Sequence, residues 1–99
     1  KNLKMRGLSG ESDFSDSWKT ICRQIDANYP VPCLILNHQV PSLEDYVWHW
    51  FILNGYEERD GQYFVKALSY GIGKWLNFLM LWDTGYSRKG GLILFEISV

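Results

Sequence analysis

The first third of the chain combines a polar stretch with one helical apolar period. Residues 1–13 are polar, contain glycine and show no period, so we expect an irregular lead-in there. Ser15 or Asp16 can cap the helix that follows, and Asn28 with Pro30 ends it. The apolar stripe of this helix recurs at helical spacing and consists of Trp18, Ile21, Cys22, Ile25 and Tyr29.

Three segments in the middle of the chain have the apolar pattern of strands. Residues 31–36 form a short apolar run that is typical of a strand buried on both faces. Residues 48–54 are apolar on both faces, and residues 62–69 alternate apolar with polar positions. Because Asp60 and Gly61 mark a turn between them, the last two segments predict an antiparallel hairpin.

The last third of the chain predicts a short helix and a final strand. Gly71 and Gly73 end the hairpin, and apolar residues at helical spacing in residues 74–83 indicate a second helix or helical turn. Residues 92–97 have the pattern of a strand. This order predicts an α+β fold: a mostly antiparallel sheet with one N-terminal helix and one short helix packed on it. Residues 1–99 are expected to form a single domain.

Composition and charge narrow the classes of partner. The net charge is −1 and the basic residues are scattered, which argues against nucleic-acid binding. The sequence shows neither a signal-peptide pattern nor an apolar run long enough to span a membrane. Aromatic residues make up 16% of the chain, and such residues fill small cores as well as line ligand clefts.

The two cysteines do not predict a disulfide framework or a metal site. Cys22 and Cys33 could be combined with His38 and His49 into a set of four zinc ligands, but their spacing matches no compact zinc motif. Both cysteines fall on apolar faces, so we interpret them as buried thiols and expect neither a metal nor a cofactor.

The predicted hairpin decides which residues lie beside His49. In an antiparallel pair, side chains share a face only when they lie opposite each other or two positions apart. A five-residue loop at 57–61 places Ser69 opposite His49, whereas a loop one residue shorter or longer places Tyr70 or Leu68 there. The end of the returning strand is therefore expected beside the histidine.

That arrangement has a known chemical use. A histidine that acts as a general base needs a hydrogen-bond partner on its other ring nitrogen. Ser69 could hold His49 in this way, although a hydroxyl stabilises an imidazolium less than a carboxylate does. The structural alternative is a satisfied, partly buried histidine that lies in the sequence between Trp48 and Trp50, with His38 merely solvated in a polar loop.

The same stretch resembles the C-terminal half of papain-like cysteine peptidases, and among these the bacterial group related to the double-glycine peptidases. Flanking segments 18–32, 73–82 and 90–93 are similar to the corresponding parts of that family, so the resemblance covers about four-fifths of the chain. The motifs that carry it are His49-Trp50 followed by three apolar residues, Asn54-Gly55-Tyr56, a short charged turn, Tyr63-Phe64-Val65-Lys66 and Ser69-Tyr70-Gly71.

The resemblance implies half of a papain-like barrel, a peptide or protein as substrate or partner, and roles for two residues. His49 matches the catalytic histidine of the family, and Ser69 falls at or near its Asn or Asp orienting residue. The nucleophilic cysteine and the oxyanion glutamine of the family have no counterpart here, because Cys22 lies in mid-helix and Cys33 in mid-strand. We therefore expect the isolated chain to be inactive as a peptidase.

Two versions of this hypothesis remain, together with two alternatives. The chain is either the C-terminal part of a longer papain-like domain or a non-catalytic derivative that binds peptide. One alternative is a small bacterial interaction module, such as a toxin-neutralising protein, that uses the acidic turn 57–60 and exposed strand edges. The other is a small hydrolase or nuclease that uses His38 and His49.

Overall fold

The computed structural model describes residues 2–10, 12–87 and 89–98, and these form one antiparallel sheet with helices on one side. Within them the strand order is β1-β6-β2-β3-β4-β5. The predicted α+β class with a mostly antiparallel sheet is confirmed. The strands are β1 (Asn2–Ser9), β2 (Val31–Ile35), β3 (His49–Arg59), β4 (Gln62–Ser69), β5 (Ile72–Asn77) and β6 (Gly90–Ser98), and the helices are α1 (Phe14–Asp26), α2 (Phe78–Trp82) and a 3₁₀ helix (Pro41–Tyr46).

The core lies between the sheet and the two α-helices. Asp13 caps α1 by accepting a hydrogen bond from the Asp16 backbone, and α1 buries Ile21 against the sheet. Strand β2 alternates buried with half-buried positions, so it is not buried equally on both faces as predicted. The other face of the sheet, which we call the open side, carries Trp50 and Trp75, and both are about half exposed. No helix among the described residues is both long and apolar enough to cross a membrane.

The predicted irregular lead-in is wrong, because its larger part is strand β1. Every residue of β1 pairs with β6, from Asn2 with Ser98 to Ser9 with Gly91. The edge position explains why no pattern is visible: side chains such as Met5, which is 71% exposed, are not sorted between a core and solvent.

Strand β6 pairs with β2 at Cys33 and Leu34, and the pairing does not continue beyond Leu92. Beyond that point the side chain of Gln24 replaces the missing strand. Its amide donates to the Phe95 carbonyl at 2.9 Å and accepts from the Phe95 backbone nitrogen at 2.8 Å. Gln24 on helix α1 therefore satisfies the backbone hydrogen-bonding groups of Phe95 on β6, where β2 no longer pairs with that strand.

The predicted helix over 74–83 is wrong in its first half. Strand β5 continues to Asn77, whose side chain caps the much shorter α2 by accepting from the Met80 backbone. Trp75 has helical spacing relative to the residues of α2 in the sequence, but it belongs to strand β5. It points to the open side, whereas Phe78 and Leu81 on α2 are fully buried.

The hairpin turn is shorter than the five-residue loop predicted from the sequence. Arg59 pairs directly with Gln62, so only Asp60 and Gly61 form the turn. Both have positive φ angles, 54° and 75°, as a type I′ turn requires. The charged residues before the turn therefore belong to β3, and a bulge between Leu53 and Gly55 shifts the register.

Candidate functional site

His49 is the first residue of β3 and lies at the end of the sheet where the 3₁₀ helix joins it. It pairs with Ile35 on β2, and its side chain shares the helix-facing side with Phe51, which is buried. The preceding residue, Trp48, has a φ of 54° and donates its backbone N–H to the Ile35 carbonyl at 2.7 Å. The chain thus enters β3 through a fixed bend that sets the direction of the imidazole.

The structure brings His49 and Ser69 together. His49 Nε2 lies 2.7 Å from Ser69 Oγ, which is a short hydrogen bond. Because the register is shifted by the bulge, continuing the Ile52–Leu68 pairing places Ser69 opposite Phe51, diagonal to His49. The two residues meet as neighbours two positions apart, and none of the three direct pairings considered from the sequence is formed.

Tyr70 covers the face of the imidazole. Its ring stacks on His49 with centroids 4.7 Å apart and planes inclined by 17°. Tyr70 and Gly71 form the two-residue turn between β4 and β5, with φ angles of 51° and 77°. This turn directs the tyrosine back over the histidine, although its side chain is 86% exposed. From the sequence, Tyr70 was considered only as the residue that a shorter loop would place opposite His49. The stacking was not predicted, and the Tyr-Gly pair before an apolar segment was the available signal.

The structural alternative, a satisfied and partly buried histidine, is also compatible with the structure, because His49 is half-buried and bonds to Ser69. Trp50 points to the open side and is 53% exposed, and Trp48 is 66% exposed. Within the described residues, the imidazole has a serine at Nε2, a tyrosine on its face and no hydrogen-bond partner at Nδ1.

A pocket of about 430 Å³ adjoins the histidine, because Ser69 and Tyr70 contact His49 and also line the pocket. Its size suits a small ligand or a side chain. The other wall comes from the 3₁₀ helix, where burial and the Asp45 carboxylate raise the pKa of Tyr46 and keep its phenol protonated. The pocket is lined by Asp45, Tyr46, Ser69, Tyr70, Ile72 and Lys74.

His38 has a structural role rather than the solvated position predicted for it. Its Nε2 lies 2.9 Å from the Met80 carbonyl and 3.1 Å from the Leu81 carbonyl, so it must donate. Its Nδ1 accepts from the Val40 backbone nitrogen at 3.0 Å. Both ring nitrogens are occupied, which leaves the hydrolase or nuclease hypothesis based on two histidines without a second catalytic group.

The cysteines do not provide a nucleophile. Both are free thiols, and Cys33 is fully buried. Burial raises the pKa of Cys33, and burial together with the Asp26 and Glu58 carboxylates raises the pKa of Cys22 to about 11. Both shifts oppose thiolate formation, which is the reactive form of a cysteine. In the part of the chain that the structure describes, no group of three or more His, Cys, Asp or Glu residues could hold a metal ion.

Comparisons with protein-family models, with curated proteins and with solved structures find no match.

Proposed function

We propose that this chain is a papain-like cysteine-peptidase-related domain that carries the histidine half of the catalytic site and acts on, or binds, a peptide or protein. The observation that carries the proposal is the 2.7 Å bond from His49 Nε2 to Ser69 Oγ, beside a pocket. The resemblance of residues 49–71 to that family supports it.

The geometry suits a general base. When Nε2 donates its proton to Ser69 Oγ, the lone pair of the neutral ring lies on Nδ1, which is the nitrogen that can accept a proton from a thiol. Tyr70 limits rotation of the ring by stacking on it. Ser69 holds the ring without a negative charge, so it stabilises the imidazolium less than a carboxylate would.

The described residues supply the base but no nucleophile. Cys33 lies in the core, and the raised pKa of Cys22 opposes thiolate formation. Peptide hydrolysis therefore requires a thiol from another polypeptide segment. Without one, the pocket beside His49 serves only to bind peptide.

The experiment compares the 99-residue chain with the product of the intact gene, using a fluorogenic peptide-amide substrate. We expect no thiol-dependent hydrolysis by the 99-residue chain. If that product is longer and hydrolyses the substrate, His49→Ala should lower the rate by roughly 10²- to 10⁴-fold, the usual contribution of a general base. Trp50→Ala is the matched control, since its exposed side chain lies one residue away but on the open side.

Two results would overturn the catalytic proposal. One is hydrolysis by the longer product that is unchanged in His49→Ala. The other is hydrolysis by the 99-residue chain that is lost in Cys22→Ala, because the thiol with the raised pKa would then be the nucleophile.

The open side favours a second candidate, an interaction module such as a toxin-neutralising protein. Trp50 and Trp75 are half exposed there. A groove of about 380 Å³ lies between Trp50 and glycines of the paired strands β1 and β6, which are Gly7, Gly90 and Gly91. Under this alternative, Trp50→Ala should abolish binding to the partner and His49→Ala should leave it unchanged.

A further inference from the structure

Strand β5 ends the sheet beside the pocket and has a regular edge. It is the last strand in the order, and its ladder with β4 runs from Ser69–Ile72 to Phe64–Asn77 without a bulge. Strand edges of soluble proteins are usually protected by proline, a bulge, a covering segment or a charged side chain such as lysine. Strand β5 has neither proline nor a bulge, and its one charged residue, Lys74, lies on the helix-facing side that lines the pocket.

The turn determines which backbone groups face outwards. In a hairpin with a two-residue turn, the flanking pair, here Ser69 and Ile72, exchanges both of its hydrogen bonds, and the pairs then alternate. Lys74 therefore bonds to β4. Gly73 and Trp75 direct their N–H and C=O groups away from β4, and no described residue accepts or donates to them there.

The pocket lies on the path of any strand that adds to this edge. Ile72 and Lys74 share the helix-facing side with Ser69 and line the pocket, while Asp45 closes it from the 3₁₀ helix. Alternate side chains of an added strand would point to that same side. One of them would enter the pocket next to the residues that hold His49.

Charge argues for a peptide as the occupant rather than a second copy of the chain. If two β5 strands paired so that Gly73 bonded to Trp75 of the other copy, the two Lys74 side chains would lie directly opposite each other, and in the registers shifted by two residues they would be diagonal neighbours on one face. Like charges directly opposite each other are destabilising, and diagonal ones repel more weakly. A peptide need not carry a cation there.

The pocket charges also favour a neutral side chain. Lys74 and Asp45 come from different elements, and the described residues show no ion pair between them. A charged side chain would be attracted by one and repelled by the other. A primary amide can donate to Asp45 and accept from Lys74 at once.

We infer that the free edge of β5 binds an extended peptide, which pairs with the backbone of Gly73 and Trp75 and places a neutral amide side chain in the pocket between Lys74 and Asp45. This rests on the proposed function only in taking a peptide as the ligand. The recognised class is an unstructured segment that contains Gln or Asn.

The test titrates the ¹⁵N-labelled 99-residue protein with the heptapeptide TVTQTVT, whose alternate residues place Gln between two valines on one face. We expect amide shifts centred on Gly73 and Trp75. Versions with Glu or Lys in place of Gln should bind more weakly. Shifts confined to the open side, no shifts at millimolar peptide, or tighter binding of a charged version would overturn the inference.

Backbone pairing has its own test. Gly73→Pro removes the outward N–H, whereas Gly73→Ala keeps it, and the Cβ that either substitution adds meets only the flexible end of Lys66. Loss of one hydrogen bond should weaken binding by about tenfold in Gly73→Pro and leave Gly73→Ala close to the parent. Equal affinity of the two variants would contradict edge pairing.

Modified peptides decide the question even if Gly73→Pro does not fold. Only every second peptide amide faces β5, so N-methylation of one alternate set should abolish binding and N-methylation of the other should not. Equal effects of both sets would overturn the inference. The two proposals fail separately, because this titration of the 99-residue protein tests only the edge pairing, whereas hydrolysis by His49→Ala tests only the proposed catalytic role.

Discussion

The two histidines of this chain occupy opposite kinds of environment. His38 donates from Nε2 to the carbonyls of Met80 and Leu81 and accepts at Nδ1 from the Val40 backbone, so it holds a loop against the end of α2. His49 bonds only to the Ser69 hydroxyl through Nε2, and Tyr70 stacks on its face.

The difference shows how a fold separates a structural imidazole from one that is available for chemistry. Because Nε2 of His38 faces two carbonyls and Nδ1 accepts from a backbone nitrogen, that ring is held in one tautomer. The partners of His49 are side chains at a hairpin turn next to a pocket, and they hold the ring while Nδ1 remains without a partner among the described residues. Stability and chemistry should therefore respond to different substitutions.

The largest expected effect on stability comes from replacing His38 by alanine. His38→Ala removes three hydrogen bonds to backbone groups, one exposed and two half-buried, and should lower the free energy of unfolding by about 2 kcal/mol. His49→Ala loses one exchangeable hydrogen bond and should cost about 1 kcal/mol. Urea denaturation followed by tryptophan fluorescence measures both. Equal losses would show that the two environments do not differ as the hydrogen bonds indicate.

The cysteines test whether a reactive thiol accompanies His49 in this chain. Raising the pKa of Cys22 from 9.0 to about 11 lowers its thiolate fraction at pH 8 roughly 100-fold, so a thiol reagent should modify the folded chain slowly and the urea-unfolded chain rapidly. Fast modification of the folded chain that His49→Ala abolishes would break the comparison, because His49 would then already have a thiol partner.

The same shift predicts a loss of stability at high pH. The folded pKa of Cys22 lies above its unfolded value, so its contribution is fully present below pH 9.0 and disappears as the pH rises towards 11. Cys33 acts in the same direction. Denaturation midpoints measured between pH 8 and pH 11 should fall, and they should fall less steeply in Cys22→Ala. An identical pH dependence of parent and variant would contradict the raised pKa of Cys22.

Tyr70 is the feature of the His49 site that His38 lacks. Its positive φ of 51° is strained for a tyrosine, by about 1 kcal/mol, and its stacking on His49 offsets a similar amount. Tyr70→Ala should therefore cost about 1 kcal/mol, whereas Tyr70→Gly should be nearly neutral because it also relieves the strain. Tyr70→Phe keeps the ring and serves as the control. Equal stability of the Ala and Gly variants would show that the turn is not strained.

Much of the sheet and the meeting of His49 with Ser69 could be predicted from the sequence. Helix α1 has a full apolar stripe, and the Asp60-Gly61 turn fixes the hairpin around which the site forms. Strand β1 could not be predicted, since an edge strand with exposed side chains carries no alternation. The charged end of β3 resembled a loop because residues near a hairpin tip are solvated even when they are paired.

The structural details that distinguish the surroundings of His38 from those of His49 could not be predicted from the sequence. The bulge between Leu53 and Gly55 changes which residue lies beside His49. The position of such a bulge and its free-energy cost depend on packing across the sheet. Nε2 of His38 bonds to backbone carbonyls on α2, and every residue has such a carbonyl, so the sequence contains no motif that predicts these bonds. A short helix whose position depends on tertiary contacts leaves little trace in local periodicity.

The smallest effect on stability, and the sharpest test of the comparison, is expected from Ser69→Ala. Removing the hydroxyl should change the free energy of unfolding by about 1 kcal/mol or less, since solvent can replace a half-buried partner. The ¹⁵N shifts of the imidazoles should respond unequally: His49 should move towards a mixture of tautomers, while His38 keeps its proton on Nε2. Ser69→Asn retains a hydrogen-bond acceptor and should restore the parent pattern. If Ser69→Ala leaves the His49 shifts unchanged, Ser69 does not hold the ring, and the observation on which the proposed function rests is lost.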